Sequence, residues 1–367
     1  MHKASIIWAF SFLLSGCGDS STTGDGGSDD AAEDSHETTS DLSETGETIE
    51  EPAEEDPALE DPAADSEDLI ADDPPAGEED IIADMDDGED APWEYVRGSL
   101  ASCLLNPGCN RVGINSHMGA WTAAIPGNSM AAYIRAWEFG ADSIEADLRV
   151  SADGVPFMIH NDEITLYESI LCAGKVVSES TAEEIDGCLL VPSFTETIPS
   201  FDEFVTWARG KIIIHLDIKE SEHLAIMVGE ILAHDAADFV FIAVSGGEAG
   251  TVVPEIENES SVYFTLRVGS VAGIDEALTT LRRPNIFMLE GDRNWDSPPV
   301  DDAAMMVQVA RVHDEGLRMM ASSSQYLPSV AEHREIFDMG FDIILSYGCE
   351  NGVEAARLEN EERGYPP

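Results

Sequence analysis

The sequence predicts an α/β chain folded as a TIM (β/α)8 barrel, preceded by a disordered acidic tether. Two observations predict it. From about Trp93 onward, eight short β-rich runs alternate with amphipathic segments. Before that point, Gly18 to Pro92 holds 30 Asp and Glu with no Lys or Arg, a composition that repels itself instead of packing.

The first residues have the pattern of an export signal. His2 and Lys3 give a weakly basic start, and Ala4 to Leu14 is apolar but too short to remain as a membrane span. Leu14-Ser15-Gly16-Cys17 then matches a bacterial lipoprotein signal, in which small residues admit the peptidase and the Cys thiol receives lipid. The expected organisation is a signal peptide over 1–16, a lipidated Cys17 with its acidic linker over 17–92, and the barrel over 93–367. Lipid at Cys17 would hold the protein on a membrane surface without spanning it. Gly18 lacks the Asp that retains some Gram-negative lipoproteins at the inner membrane, so the expected location is the cell envelope, at the outer membrane. Asp-rich stretches of the linker such as Asp25-Gly26-Gly27 lack the ligand order of an EF-hand.

The remaining 44 acidic residues face 17 Lys and Arg, so the barrel is itself acidic and nucleic acid is excluded as an expected partner. Besides Cys17 there are Cys103, Cys109, Cys172, Cys188 and Cys349. Export permits disulfides, and no C-x-x-C suggests zinc. Cys103 with Cys109 and Cys172 with Cys188 are the nearest pairs in sequence, though spacing alone does not fix connectivity.

The expected strands are Val112 to Ser116, Asp142 to Val150, Lys211 to Ile218, Phe239 to Val244, Val262 to Val268, Asn285 to Leu289, Leu317 to Ala321 and Phe341 to Ser346. The clearest helix is Ser129 to Phe139, where Met130, Tyr133, Ile134 and Trp137 form one face, Asn128 suits the N-cap and Gly140 the stop. Further helices are expected near Phe201 to Ala208, Glu222 to His234, Ile274 to Leu281, Asp301 to Glu315 and Val330 to Met339.

A barrel of this kind keeps its chemistry at the C-terminal ends of its strands. Four such places carry polar residues. His117 follows the first strand. Glu145 and Asp147, two apart, point to one face of the second, and because Ile144 and Leu148 alternate with them that face is the barrel interior. Like charges crowded there require a cation or a basic partner. His160 ends a short run from Val155, after the turn at Ser151-Ala152-Asp153-Gly154. In Lys211 to Lys219, period two gathers His215, Asp217 and Lys219 on one face, either as a third carboxylate with a cation or as a salt bridge.

In order along the chain stand His117-Met118-Gly119, Pro126-Gly127-Asn128-Ser129, Gly140-Ala141-Asp142, Glu145-Ala146-Asp147, Asp153-Gly154, His160-Asn161, Ile198-Pro199-Ser200-Phe201 and Leu216-Asp217-Ile218-Lys219. This succession resembles the glycerophosphodiester phosphodiesterase family, whose motifs read HRG, PENT, a Gly-Ala-Asp before E-x-D, DG, HD, IPTL and E-I-K; it is strongest between Val112 and Lys219. The resemblance implies one divalent cation, Mg²⁺ or Ca²⁺, held by Glu145, Asp147 and Asp217. It also implies His117 and His160 as acid and base, with Lys219 meeting the phosphate.

Four positions depart from that pattern. Met118 stands where the family has Arg, Gly127 where it has Glu, Asp217 where it has Glu, and Asn161 where it has Asp, although Asp162 follows. His-Met and the third Asp are similar to the sphingomyelinase D toxins and their bacterial cousins. The toxins' Cys-containing loop is not matched at its own place, though a loop closed by Cys172 and Cys188 would be comparable, and Ser346-Tyr347 replaces the family's Thr-Asp.

The expected reaction is hydrolysis of a small phosphodiester, first a glycerophosphodiester giving an alcohol and glycerol phosphate. The alternatives are headgroup release from a choline or ethanolamine phospholipid, as in sphingomyelinase D or phospholipase D, and a non-catalytic surface binding module on the same barrel.

Overall fold

A computed structural model describes residues 95–292, 301–322 and 328–365. The expected leader, Cys17 and tether lie outside the described residues. Eight parallel strands close the barrel: β1 (Gly113–His117), β2 (Ser143–Val150), β4 (Ile213–Ile218), β5 (Val240–Val244), β6 (Tyr263–Arg267), β7 (Ile286–Asp292), β8 (Arg318–Ser322) and β9 (Ile343–Ser346). Each pairs with the next in chain order, and β9 returns to β1, with Gly113 opposite Ile343. The short β3 (Pro156–Met158) runs antiparallel along the end of β2, Leu148 opposite Met158, and carries the chain to His160. Strands covered on both faces need near-continuous apolar runs, as in β5, Val-Phe-Ile-Ala-Val, buried throughout.

The outer layer comprises α1 (Met130–Phe139), α3 (Phe201–Ala208), α4 (Leu224–Ala233), α5 (Val271–Thr279), α6 (Asp302–Asp314), α7 (Val330–Asp338) and α8 (Cys349–Glu362), and the one-turn α2 (Ala182–Ile185) lies in the insertion between β3 and α3. The N-cap of α1 is Ser129, whose side chain accepts from the Ala132 amide, and not the expected Asn128. Helix α8 was not foreseen because its inward face is made of small residues, Gly352, Ala355 and Ala356, instead of an apolar stripe. Those residues let α8 approach β1 closely: a Cβ on Gly352 would come within 3.0 Å of Ile114 Cδ1.

The main apolar core lies between the strands and the helices. A second cluster inside the barrel joins Phe241, Phe287, Met288 and Met320 to Leu100 and Leu104 from the segment before β1. That segment closes the N-terminal end. It is fixed by the Cys103–Cys109 disulfide and by Asp142, which accepts from Tyr95 Oη at 2.5 Å and pairs with Arg111 at 2.6 Å. With one end sealed, the polar interior opens at the other.

Candidate active site

The C-terminal end of the barrel is built from the strand ends inward. At the end of β1, Met118 and Gly119 both take positive φ, 52° and 77°, turning the chain back so that the Met118 amide donates to Glu145 Oε2 at 3.2 Å. Only glycine fits at 119, since a Cβ there would lie 2.7 Å from the Ala132 carbonyl carbon. Asn128, also at positive φ, donates from Nδ2 to Asp147 Oδ2 at 2.7 Å and accepts from the Asp147 amide and from Tyr133 Oη. Asn128 therefore serves as a clamp on a carboxylate and has no capping role.

Glu145, Asp147 and Asp217 converge: one oxygen from each lies within 4.8 Å of the others. Oxygens at about 2.0 to 2.6 Å from one cation lie at most about 4 to 5 Å apart, a span that matches the trio and suits a single hard ion. Burial, and then the charges of Asp147 and Asp217, push the Glu145 carboxyl well above its ordinary pKa, as expected of negative charge in excess. Lys219 offsets part of it, its Nζ lying 2.5 Å from Asp147 and 2.6 Å from Asp217. The lysine expected to meet phosphate is thus paired with two of the carboxylates.

Sequence reasoning missed Arg267 and Glu290. Arg267, at the end of β6, reaches Asp217 Oδ1 at 2.9 Å and lies 3.7 Å from Glu290 Oε2. Burial alone would raise the Asp217 carboxyl, but Arg267 and Lys219 outweigh it and hold it below the usual carboxylate range. The expected strand ended at Leu289, whereas β7 runs on to Asp292 and so brings Glu290 into the interior. No pattern short of strand register marks either residue.

His117 Nε2 lies 4.0 Å from Glu145 Oε2, and the His117 ring packs on Tyr347 with centroids 4.1 Å apart. Burial brings its pKa down to about 4, with nearby charges, His160 among them, modulating it. The His160 Nδ1 contacts Asn161 Oδ1 at 3.1 Å, and its carbonyl accepts from Arg149 Nε at 2.7 Å. Asp162 turns away to Ser178, bonding its amide and hydroxyl at 2.9 Å each. His215 sits one layer deeper, between Asn115 at 2.7 Å and the stacked ring of Phe241, and burial lowers its pKa to about 3. Cys172 and Cys188 are disulfide-bonded in the insertion after His160, and Cys349 is a buried free thiol.

Met118 and Gly127 face each other, so that a Cβ on Gly127 would lie 3.1 Å from Met118 Cβ. The two residues that replace the resembled Arg and Glu are neighbours.

Convergent carboxylates and two histidines thus stand at the open end of a closed α/β barrel. Residues 117–316, more than half of the chain, match the model of the Glycerophosphoryl diester phosphodiesterase family, and the chain belongs to that family. It is a phosphodiesterase. The fold is similar to that of a glycerophosphoryl diester phosphodiesterase from Parabacteroides distasonis, at 23% identity over 72% of this chain and 92% of that one, with TM-score 0.57. A glycerophosphodiester phosphodiesterase from Agrobacterium tumefaciens is similar at 20% identity, 66% and 99% coverage and TM-score 0.54. An Oleispira antarctica phosphodiesterase in complex with the product sn-glycerol-3-phosphate is similar at 16% identity, 67% and 96% coverage and TM-score 0.52.

Proposed function

We propose that the chain hydrolyses a glycerophosphodiester to an alcohol and glycerol phosphate, with Glu145, Asp147 and Asp217 holding one Mg²⁺ or Ca²⁺ and His117 and His160 moving the protons. The observation that carries it is the convergence of the three carboxylates beside His117. When bound, the cation supplies positive charge against the negative charge that develops on phosphate oxygen. Asn128 orients Asp147 for it, and the Met118 amide orients Glu145.

One histidine takes the proton of the attacking oxygen, water or a neighbouring substrate hydroxyl, as its bond to phosphorus forms. The other gives a proton to the departing alkoxide as the second P–O bond breaks. Burial favours the neutral form of His117, which carries the free lone pair that accepting a proton needs. Arg267 and Lys219 place two cations around Asp217, and Arg267 stands in for the guanidinium that position 118 lacks. The bound product in the Oleispira relative supports glycerol phosphate as the product class.

Met118 in place of the resembled Arg, with Asp217 as the third carboxylate, favours a second substrate class, the choline or ethanolamine headgroup of a phospholipid, since both features are similar to the sphingomyelinase D toxins. The lipoprotein pattern at Cys17 supports a site near a membrane, with Cys17 as the lipid acceptor of an exported, envelope-anchored protein. Mass spectrometry of the mature N-terminus tests this: lipid on Cys17 supports the anchor, and an unmodified later start rejects it.

The reaction is tested by product release from glycerophosphocholine, lysophosphatidylcholine and sphingomyelin with Mg²⁺ or Ca²⁺, comparing wild type with His117→Ala and His160→Ala. Turnover that depends on both histidines supports the proposal. A folded protein that turns over none of the three and binds no cation sinks it; cation binding without turnover would leave a non-catalytic binding module.

A further inference from the structure

Nine large apolar side chains are exposed among the described residues, and five belong to the single insertion between β3 and α3: Leu166, Tyr167, Ile170, Leu171 and Phe194. Tyr167 is 81% exposed, Leu171 69% and Leu166 64%. These are not an overflow of the core, since the insertion buries its own cluster around Ile164, Val177, Ile185 and Leu190. The turn that carries them is held in place. The Cys172–Cys188 disulfide closes its base, and the Ile164 and Gly174 amides donate to the Lys175 and Ile164 carbonyls at 2.8 Å. The Val191 amide donates to the Glu168 carbonyl, bringing the segment of Phe194 alongside. Glu168, in the middle of the turn, accepts from the Asn161 amide at 3.0 Å. The apolar turn is therefore tied to the residue that follows His160.

We propose that Leu166, Tyr167, Ile170 and Leu171, with Phe194, form a face that docks the mouth of the site onto a zwitterionic phospholipid bilayer. Fixed apolar side chains flanking an exposed aromatic ring suit the boundary between headgroups and acyl chains, where Tyr sits with its ring in the apolar layer and its hydroxyl in water. Charge selects the occupant. Residues 161–200 hold eight Asp and Glu against one Lys, so the acidic tether, a second copy of this face and an anionic membrane are all repelled. A bilayer of phosphatidylcholine or phosphatidylethanolamine carries no net charge. The lipid proposed at Cys17 is a separate attachment to such a bilayer. The inference rests on the reading of the barrel as a phosphodiesterase for phospholipid headgroups.

The test is co-sedimentation of the chain from Gly18 onward, free of leader and lipid, with phosphatidylcholine vesicles and with vesicles rich in phosphatidylserine. Wild type is expected to pellet with phosphatidylcholine, and Leu166→Ser/Leu171→Ser to bind about tenfold more weakly or worse at an unchanged melting temperature. Tyr167→Ser/Ile170→Ser provides a second variant should the first fold poorly. Failure of wild type to bind, or equal binding by folded variants, overturns the docking face. So does a wild-type dimer that the variants dissociate while vesicle binding is unaffected, which assigns the face to a second copy. Turnover of glycerophosphocholine and of monomeric lysophosphatidylcholine, measured in parallel, reads the barrel site separately: absence of both with vesicle binding intact counts against the phosphodiesterase reading and leaves the docking face standing.

Discussion

At the scale of single residues, the site is a balance of charge. Burial, with the charges of Asp147 and Asp217, raises the Glu145 carboxyl, which keeps a proton to higher pH in the folded chain than in the unfolded one. A raised carboxyl pKa means that the folded state binds the extra proton, so the cation-free protein loses stability as pH rises above the unfolded carboxylate value. A cation takes the ionised form only, so its binding displaces that proton and strengthens with pH. The rise in melting temperature on adding Ca²⁺ or Mg²⁺ is expected to be larger near about pH 8 than near about pH 5; a pH-independent rise would contradict this role of Glu145. Asn128→Ala removes the clamp on Asp147 and is expected to weaken cation binding by about 10- to 100-fold, measured by calorimetric titration. Arg267→Ala is expected to raise KM more than it lowers kcat if the guanidinium meets substrate phosphate. An unchanged KM would confine it to the pair with Asp217.

At the scale of elements, the sequence announced those parts whose physics is local. Alternation of apolar and polar residues in β2 and β4 put Glu145, Asp147 and Asp217 on inward faces, and the structure brings them together. The stop of α1 at Gly140 is likewise readable from short range, whereas its N-cap fell one residue beyond the expected Asn128, at Ser129. What could not be read depends on contacts between distant segments. Helix α8 buries small residues against Ile114, Arg267 and Glu290 acquire a role only when β6 and β7 lie in register, and Asn128 is a clamp because a left-handed backbone turns it toward β2. The insertion after β3 has its own apolar cluster and its own disulfide, closed over 16 residues. Replacing Cys172 and Cys188 by Ser is expected to lower unfolding stability by about 3 kcal/mol through loop entropy, read from denaturant titration. An effect below about 1 kcal/mol would show that the unfolded insertion retains structure.

At the scale of the molecule, one end of the barrel is sealed so that the other can hold charge. Leu100 and Leu104 fill the base, and above them the interior passes from Phe241 and His215 to the carboxylates and their basic partners. Leu100→Ala is expected to cost about 2 to 5 kcal/mol, because the fully buried side chain leaves a cavity that a closed barrel cannot collapse around. The central claim is that cation, carboxylates and both histidines act on one phosphodiester. The most direct measurement is phosphorus NMR of glycerophosphocholine incubated with the protein, with and without chelator, for wild type, Asp217→Asn, His117→Gln and His160→Gln. The expected result is conversion of the diester signal to a monoester or cyclic phosphate by wild type with Mg²⁺ or Ca²⁺, stopped by chelator and slowed at least about a hundredfold in each variant. Conversion that persists at the wild-type rate in chelator or in either histidine variant would contradict it.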